Sequence, residues 1–235
     1  MVSCKLIALK NREDVAVLCE KKEIPYKTLK IGEEEYQLKL YIEEVGENKH
    51  GKLVKGFADR LLVLYDRERG EFMVRVSEKL ELQVYETEDP VLLGIFAKKD
   101  VSLRVATSLG HIVDVAYIYL DLTGNFDRIK NHAKFQDVRQ LRLSDIRDMY
   151  LDKAILIGTK LHESPYARTV RVSLGASLNA LAIVYRNTWV LVTRDARFYT
   201  PVPARILPGG REGFILDLYR ELRDLDVARI QEAVV

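Results

Sequence analysis

Seven arginines, Arg168, Arg171, Arg186, Arg194, Arg197, Arg205 and Arg211, fall between Ser164 and Arg211, against a single acid, Asp195, and no lysine. Tyr166, Tyr185, Trp189, Phe198 and Tyr199 are interleaved with them. A guanidinium is a planar fork that grips phosphate in two places and stacks on flat rings. Such a stretch is the electrostatic footprint expected of a nucleic-acid surface. If several of these arginines converge, they neutralise backbone phosphates, while Trp189, Tyr185 or Tyr199 stack on unpaired bases. The competing expectation is that the aromatics are core and the arginines pair with carboxylates, or meet an acidic protein partner.

Other residues suggest chemistry less directly. Asp145, Asp148 and Asp152 recur at helical spacing and would share one face of a helix capped by Ser144, where carboxylates can hold Mg²⁺ for a nuclease or phosphoryl-transfer reaction. Gly209-Gly210-Arg211-Glu212-Gly213 could present free amides to an anion, but the Gly-Lys-Ser/Thr ending of a phosphate loop is missing. Asp114 and Asp121 are out of phase along a strand. The histidines at 50, 111, 132 and 162 are scattered, and His162-Glu163-Ser164 is a run of neighbours rather than a converging set. No Gly-x-Ser-x-Gly, His-Glu-x-x-His or Gly-x-Gly-x-x-Gly occurs. The sequence therefore favours a non-catalytic nucleic-acid-binding or accessory subunit, with no cofactor expected and DNA versus RNA undecided. A metal-dependent nuclease and a structural subunit for an acidic partner remain as alternatives.

The chain that positions these residues has 235 residues, 48% hydrophobic and 31% charged, with a net charge of +2. That composition suits a folded protein with a substantial core. No apolar run is long enough for a transmembrane helix, and the first residues lack the pattern of a secretory signal, so no membrane association and a cytoplasmic location are expected. Abundant charge with few glutamines is the profile of heat-loving organisms. Cys4 and Cys19 form no zinc pattern and read as small apolar side chains, with a bridge open only if the first strand and helix meet.

Lysine and glutamate dominate residues 1–100, as in Lys21-Lys22, Glu33-Glu34-Glu35 and Glu43-Glu44, whereas arginine and aspartate dominate residues 101–235. The expected fold is α+β: two closely packed mixed α/β parts, the second dominated by antiparallel β hairpins with a C-terminal helix. The first part opens with a strand (Ser3 to Lys10), a helix (Arg12 to Lys22) and a strand (Tyr26 to Ile31). Over Leu18-Cys19-Glu20-Lys21-Lys22-Glu23-Ile24-Pro25-Tyr26 this opening resembles that of many α/β domains, glutathione-transferase-like ones among them, but only across that one unit.

Tyr36 to Val45 fits helix or strand, and Glu47 to Gly56 reads as a charged loop. Leu61 to Tyr65 and Glu71 to Val76 flank Asp66-Arg67-Glu68-Arg69-Gly70 as a hairpin. Strands are expected at Leu80 to Tyr85, Val91 to Phe96, Val101 to Thr107, His111 to Leu122 and Thr169 to Leu174, and helices at Phe126 to Phe135 and from Ser144 to Leu151. Asp89-Pro90 stands without the acid-x-lysine spacing of a restriction-type nuclease. Ala180 to Tyr185 and Trp189 to Thr193 form a second hairpin about Arg186-Asn187-Thr188. Three prolines (201, 203 and 208) break the chain beyond that hairpin into short pieces, and Phe214, Leu218, Leu222 and Leu225 mark an amphipathic final helix.

Overall fold

Strands account for half of the molecule, paired mostly antiparallel, and a helix lies near the C-terminal end, so the class is broadly α+β. The computed structural model describes residues 1–20, 23–31, 34–68, 70–86 and 90–232. Lys21, Lys22, Glu33, Arg69 and Asp89, all singled out in the sequence, lie outside the described residues. In chain order the elements are β1 (Val2–Leu9), α1 (Asp14–Glu20), β2 (Glu23–Ile31), β3 (Glu34–Asn48), β4 (Gly51–Asp66), β5 (Gly70–Tyr85), β6 (Val91–Phe96) and α2 (Lys99–Leu109). They continue as β7 (Val115–Leu120), α3 (Phe126–Asn131), β8 (Phe135–Ser144), β9 (Ala154–Ile157), α4 (Pro165–Arg168), β10 (Ser177–Tyr185), β11 (Thr188–Thr193), β12 (Arg197–Thr200), α5 (Gly210–Asp224) and β13 (Ala228–Glu232). Two units can be separated, one made of Ile7–Ala116 and the other of Met1–Leu6 with Tyr117–Val235.

In the unit of residues 7–116, the strands run in the order β2-β3-β4-β5-β6. β2 pairs antiparallel with β3, its neighbour in sequence, so the opening does not develop into a parallel strand–helix–strand layer. The segment Glu47 to Gly56, expected as a loop, is instead a hairpin: Asn48 pairs with Gly51 across a tight turn, Glu47 and Lys49 are exposed, and Gly51, Val54 and Gly56 are buried. Tyr36 to Val45 is strand for the same reason, with Leu38, Leu40 and Ile42 buried in a period of two. Asp59 is buried in β4, one residue past the end of its ladder with β3, and accepts from the Ser77 hydroxyl at 2.7 Å and the Lys39 amide at 3.2 Å. Val101 to Thr107, expected as a strand, is helical. Val101, Val105 and Leu109 are buried four residues apart, so helical amphipathicity outweighed the β-branched composition.

Gly56 shows how tightly β4 lies against β3. A Cβ there would sit 1.8 Å from the Tyr41 carbonyl oxygen, a backbone atom that cannot swing away. Gly56→Ala should therefore cost about 3 kcal/mol or more, read as a lower urea midpoint at unchanged slope.

In the other unit the strand order is β1-β12-β11-β10-β8-β9, and β13 pairs with β7, which also pairs with β1. The β10–β11 hairpin forms as expected from the sequence. Its turn residues Arg186 and Asn187 both adopt positive φ, 47° and 62°, matching the twist of the flanking strands. Helix α5 buries Phe214, Leu218 and Leu222 along one side. Phe214 stands 5.5 Å from Tyr185, and Tyr185 stands 5.6 Å from Phe135, so one aromatic line ties the helix to the sheet. Tyr185 is therefore core, its hydroxyl pushed up to about 12 by burial, and it is not available to stack on a base.

Three further expectations are corrected here. Ser144 ends β8 and donates to the Asp145 carboxylate, and the residues up to Lys153 are irregular rather than helical. Of His111 to Leu122, only Val115–Leu120 is strand. Thr169 to Leu174 is not a strand; Thr169–Ser173 continues α4 as a wider helical turn, with Val170 buried and Val172 exposed. No helix among the described residues is long and apolar enough to cross a membrane.

Candidate nucleic-acid interface

The segment after β9 sets up a cleft through a strong local start signal. Ser164 is the N-cap, its hydroxyl accepting from the Ala167 amide at 3.3 Å, and Pro165 comes next with φ already fixed for a helix. Because the chain then turns helically through Ser173, Arg168 and Arg171 are one turn apart and share a face. In the strand expected from the sequence they would have pointed to opposite sides. Removing the cap with Ser164→Ala should cost about 1 kcal/mol, measured by thermal unfolding.

The cleft has a volume of about 450 Å³ and is lined by Phe126, Asp127, Lys130, His162, Arg168 and Arg171, among others. This is within the range of small-ligand sites, about 300–1,000 Å³. Arg171 lies over the Phe126 ring at 3.8 Å from its centroid, and its Nη2 is 3.9 Å from Asp127. Its Nη1 is buried without a protein partner. Burial works against the Arg171 charge, the Asp127 carboxylate supports it, and Arg168 opposes it again. A guanidinium stays protonated regardless, so the cleft holds a permanent, incompletely satisfied cation. Asp127 is held below the ordinary carboxylate range, first by its hydrogen bond from Lys130 at 2.8 Å and then by the Lys130, Arg171 and Arg168 charges. His162 directs Nε2 to Glu163 at 3.5 Å and buries Nδ1 without a partner. Tyr166, beside this wall on α4, is 62% exposed.

Sequence reasoning missed Phe126, Asp127 and Lys130. They lie well upstream of the arginine stretch, and the only local hint was the basic run Arg128, Lys130, His132 and Lys134. Asp121 positions them: its carboxylate accepts from the Gly124 amide at 2.9 Å and its carbonyl from the Asn125 amide at 3.3 Å, closing the turn into α3.

The remaining arginines are disposed differently. Arg186 stands at the β10–β11 turn and donates to Asp217 at 2.7 Å. Arg194 reaches Asn179 at 3.3 Å, its guanidinium 5.3 Å from the Tyr119 ring. Arg197 is buried and donates to Asp195, which also receives the Thr193 hydroxyl at 2.5 Å. Lys5 joins from β1, donating to the Asp195 carbonyl oxygen at 2.8 Å. Arg205 is exposed in a short turn, Ala204–Ile206, and Arg211 pairs with Glu212 at 2.6 Å. Trp189 and Tyr199 pack edge to face, 6.1 Å apart, over Ala180, Ala182 and Leu191, which leaves both half-buried. The structure thus gathers Arg168 and Arg171 in one cleft, while Arg186, Arg197 and Arg211, like Arg171, face carboxylates.

The aspartates of the nuclease alternative lose the helix that would have aligned them. Asp145 sits at φ 55°, Asp148 accepts from the Tyr150 amide at 2.9 Å, and Asp152 is 3.8 Å from Lys153. Among the described residues, no group of three or more His, Cys, Asp or Glu side chains is placed to hold a metal ion. Cys4 and Cys19 are not joined by a disulfide.

The fold and cleft together define an α+β protein of mostly antiparallel strands with a basic, aromatic-backed recess. Compared with known families and with curated proteins, the sequence matches none.

Proposed function

We propose that this protein binds nucleic acid without acting on it, as an accessory subunit whose Arg168 and Arg171 take backbone phosphates. The observation that carries this reading is the convergence of Arg168 and Arg171 on one helical face over the cleft, with an Arg171 nitrogen left unsatisfied. Arg168, Arg171 and Lys130 outnumber the two carboxylates of the lining, Asp127 and Glu163, so the recess favours an anion. Tyr166 offers an exposed ring for a base adjoining the bound phosphate. The wider set Arg186, Trp189, Arg194, Arg197, Tyr199, Arg205 and Arg211 is secondary in this reading, because several of them are already engaged within the chain.

The reading is tested by titrating the full chain into a fluorescein-labelled oligonucleotide at rising salt. Binding held by phosphates weakens linearly in log K against log salt, by about 0.7 to 0.9 per contact. Affinity indifferent to salt, or no binding at low ionic strength, would remove the proposal.

A further inference from the structure

The outer halves of β4 and β5 leave the rest of their sheet. β3 last pairs with β4 at Ala58, and β6 first pairs with β5 at Glu81, yet the β4–β5 ladder runs on from Asp59↔Ser77 to Asp66↔Gly70. Among the described residues, this outer ribbon has no third strand. It is apolar nonetheless. Leu62, Leu64, Phe72 and Val74 share one face, and Val63 and Met73 lie on the other. Val63 is 58% exposed and Tyr65 74%, with Leu64 and Phe72 also exposed. A two-stranded ribbon is marginal in water by itself, and contiguous exposed apolar surface of this kind marks an interaction site.

The free edge of β5 is also unprotected. Natural edges are blunted by bulges, prolines or inward charges. The β4–β5 register runs without a single irregularity, whereas the β2–β3, β3–β4 and β8–β10 ladders each carry at least one. No proline or lysine interrupts Glu71 to Ser77. Its charges are instead arranged to complement themselves. Glu71 and Arg75 flank Met73 symmetrically, and among the described residues neither forms an ion pair.

We infer that the β5 edge of this ribbon is a self-association site, at which two copies of the chain pair antiparallel about Met73. In that register each Glu71 faces Arg75 of the second copy, and each Phe72 faces Val74. The contact is isologous and closes on itself, giving a dimer rather than a filament. The two ribbons become one four-stranded sheet whose shared face carries Leu62, Leu64, Phe72 and Val74 from both copies. Charge complementarity selects a second copy as the occupant, because this strand matches its own reverse.

Sedimentation velocity of the full chain tests the inference across micromolar concentrations. The wild type is expected to dimerise. Glu71→Arg or Arg75→Glu alone places two like-charged pairs across the interface and should weaken the dimer on the order of tenfold or more. The combined Glu71→Arg, Arg75→Glu chain restores the opposite pairs and should dimerise like the wild type, which separates pairing from misfolding. A wild type that stays monomeric, leaving the ribbon to some other protein, would overturn the inference. So would a dimer unmoved by either single change, or a charge swap that fails to restore it.

Discussion

Arg168→Ala combined with Arg171→Ala should weaken oligonucleotide binding about a hundredfold at low salt, from roughly 1.5 kcal/mol for each lost charged contact. The slope of log K against log salt should fall by about 1.4 on a single strand and by about 1.8 on a duplex, the loss of two phosphate contacts. Arg186→Ala is the informative contrast. Its guanidinium is already spent on Asp217 at 2.7 Å, so its removal should change affinity by less than about twofold. A double variant that binds like the wild type, or an Arg186 variant that loses more, would move the interface away from the cleft. The Arg186 variant should unfold within about 1 kcal/mol of the wild type, whereas the double variant also loses the stacking of the largely buried Arg171 on Phe126 and should cost about 1–2 kcal/mol. Fluorescence polarisation and urea unfolding measured on the same preparations separate the two effects.

The second large effect concerns stability. Lys5 and Arg197 have side chains only 3% and 10% exposed, and both rest on Asp195, itself 44% exposed. Asp195→Ala leaves two buried cations facing each other, which should cost about 3 kcal/mol, the lower end for a broken buried pair because Asp195 reaches solvent. Adding Lys5→Met to that variant should recover part of the loss. An Asp195→Ala protein within about 1 kcal/mol of the wild type would contradict the picture of a buried trio.

The same trio gives a signed pH dependence. Burial alone would raise the Asp195 pKa, but the Thr193 hydrogen bond and the Lys5 and Arg197 charges outweigh it and hold the group below the carboxylate range. A depressed folded value means stabilisation that is complete above the unfolded value of about 3.9 and drains as pH falls through the folded one. Lys5 behaves oppositely to a lysine that gains a partner. Burial lowers its pKa more than Asp195 restores it, so its charge is a net cost in the folded state. That cost is relieved as pH rises through the folded value toward about 10.4, where the unfolded chain still holds its proton. Buried tyrosines such as Tyr185, whose raised pKa loses stability in the same range, pull the other way, so the Lys5 effect is read as a difference: the urea midpoint of the wild type minus that of Lys5→Met should grow as pH rises toward about 10.4.

Elements governed by local signals were legible in the sequence. The β10–β11 and outer β4–β5 hairpins arise from apolar runs about short polar turns, and α5 from Phe214, Leu218 and Leu222 at helical spacing. The failures share a cause. Val101 to Thr107 and Thr169 to Leu174 are rich in β-branched residues, and short segments of that kind satisfy both periods. What decided them was the burial of Val101, Val105 and Leu109 on one side of α2, and the Ser164–Pro165 start signal lying five residues ahead of Thr169. The Glu47 to Gly56 segment looked like a loop because its charged residues and glycines hide the alternation, although Gly51, Val54 and Gly56 are buried in the folded hairpin. β13 was missed because its partner, β7, is about a hundred residues away in sequence.

The arginines of the site were visible from the start, but not which of them converge. A strand reading separates Arg168 from Arg171, whereas a helix joins them, so one local misassignment hid the cleft. Its opposite wall, Phe126, Asp127 and Lys130, comes from α3, and no pattern within the stretch points there.

The most direct measurement tracks the guanidinium Nε–H resonances of a ¹⁵N-arginine-labelled chain as an oligonucleotide is added. Arg168 and Arg171 should shift first and saturate together, while Arg197, buried against Asp195, stays in place. Shifts confined to Arg194, Arg205 or Arg211, with Arg168 and Arg171 unmoved at saturation, would contradict a cleft-centred interface.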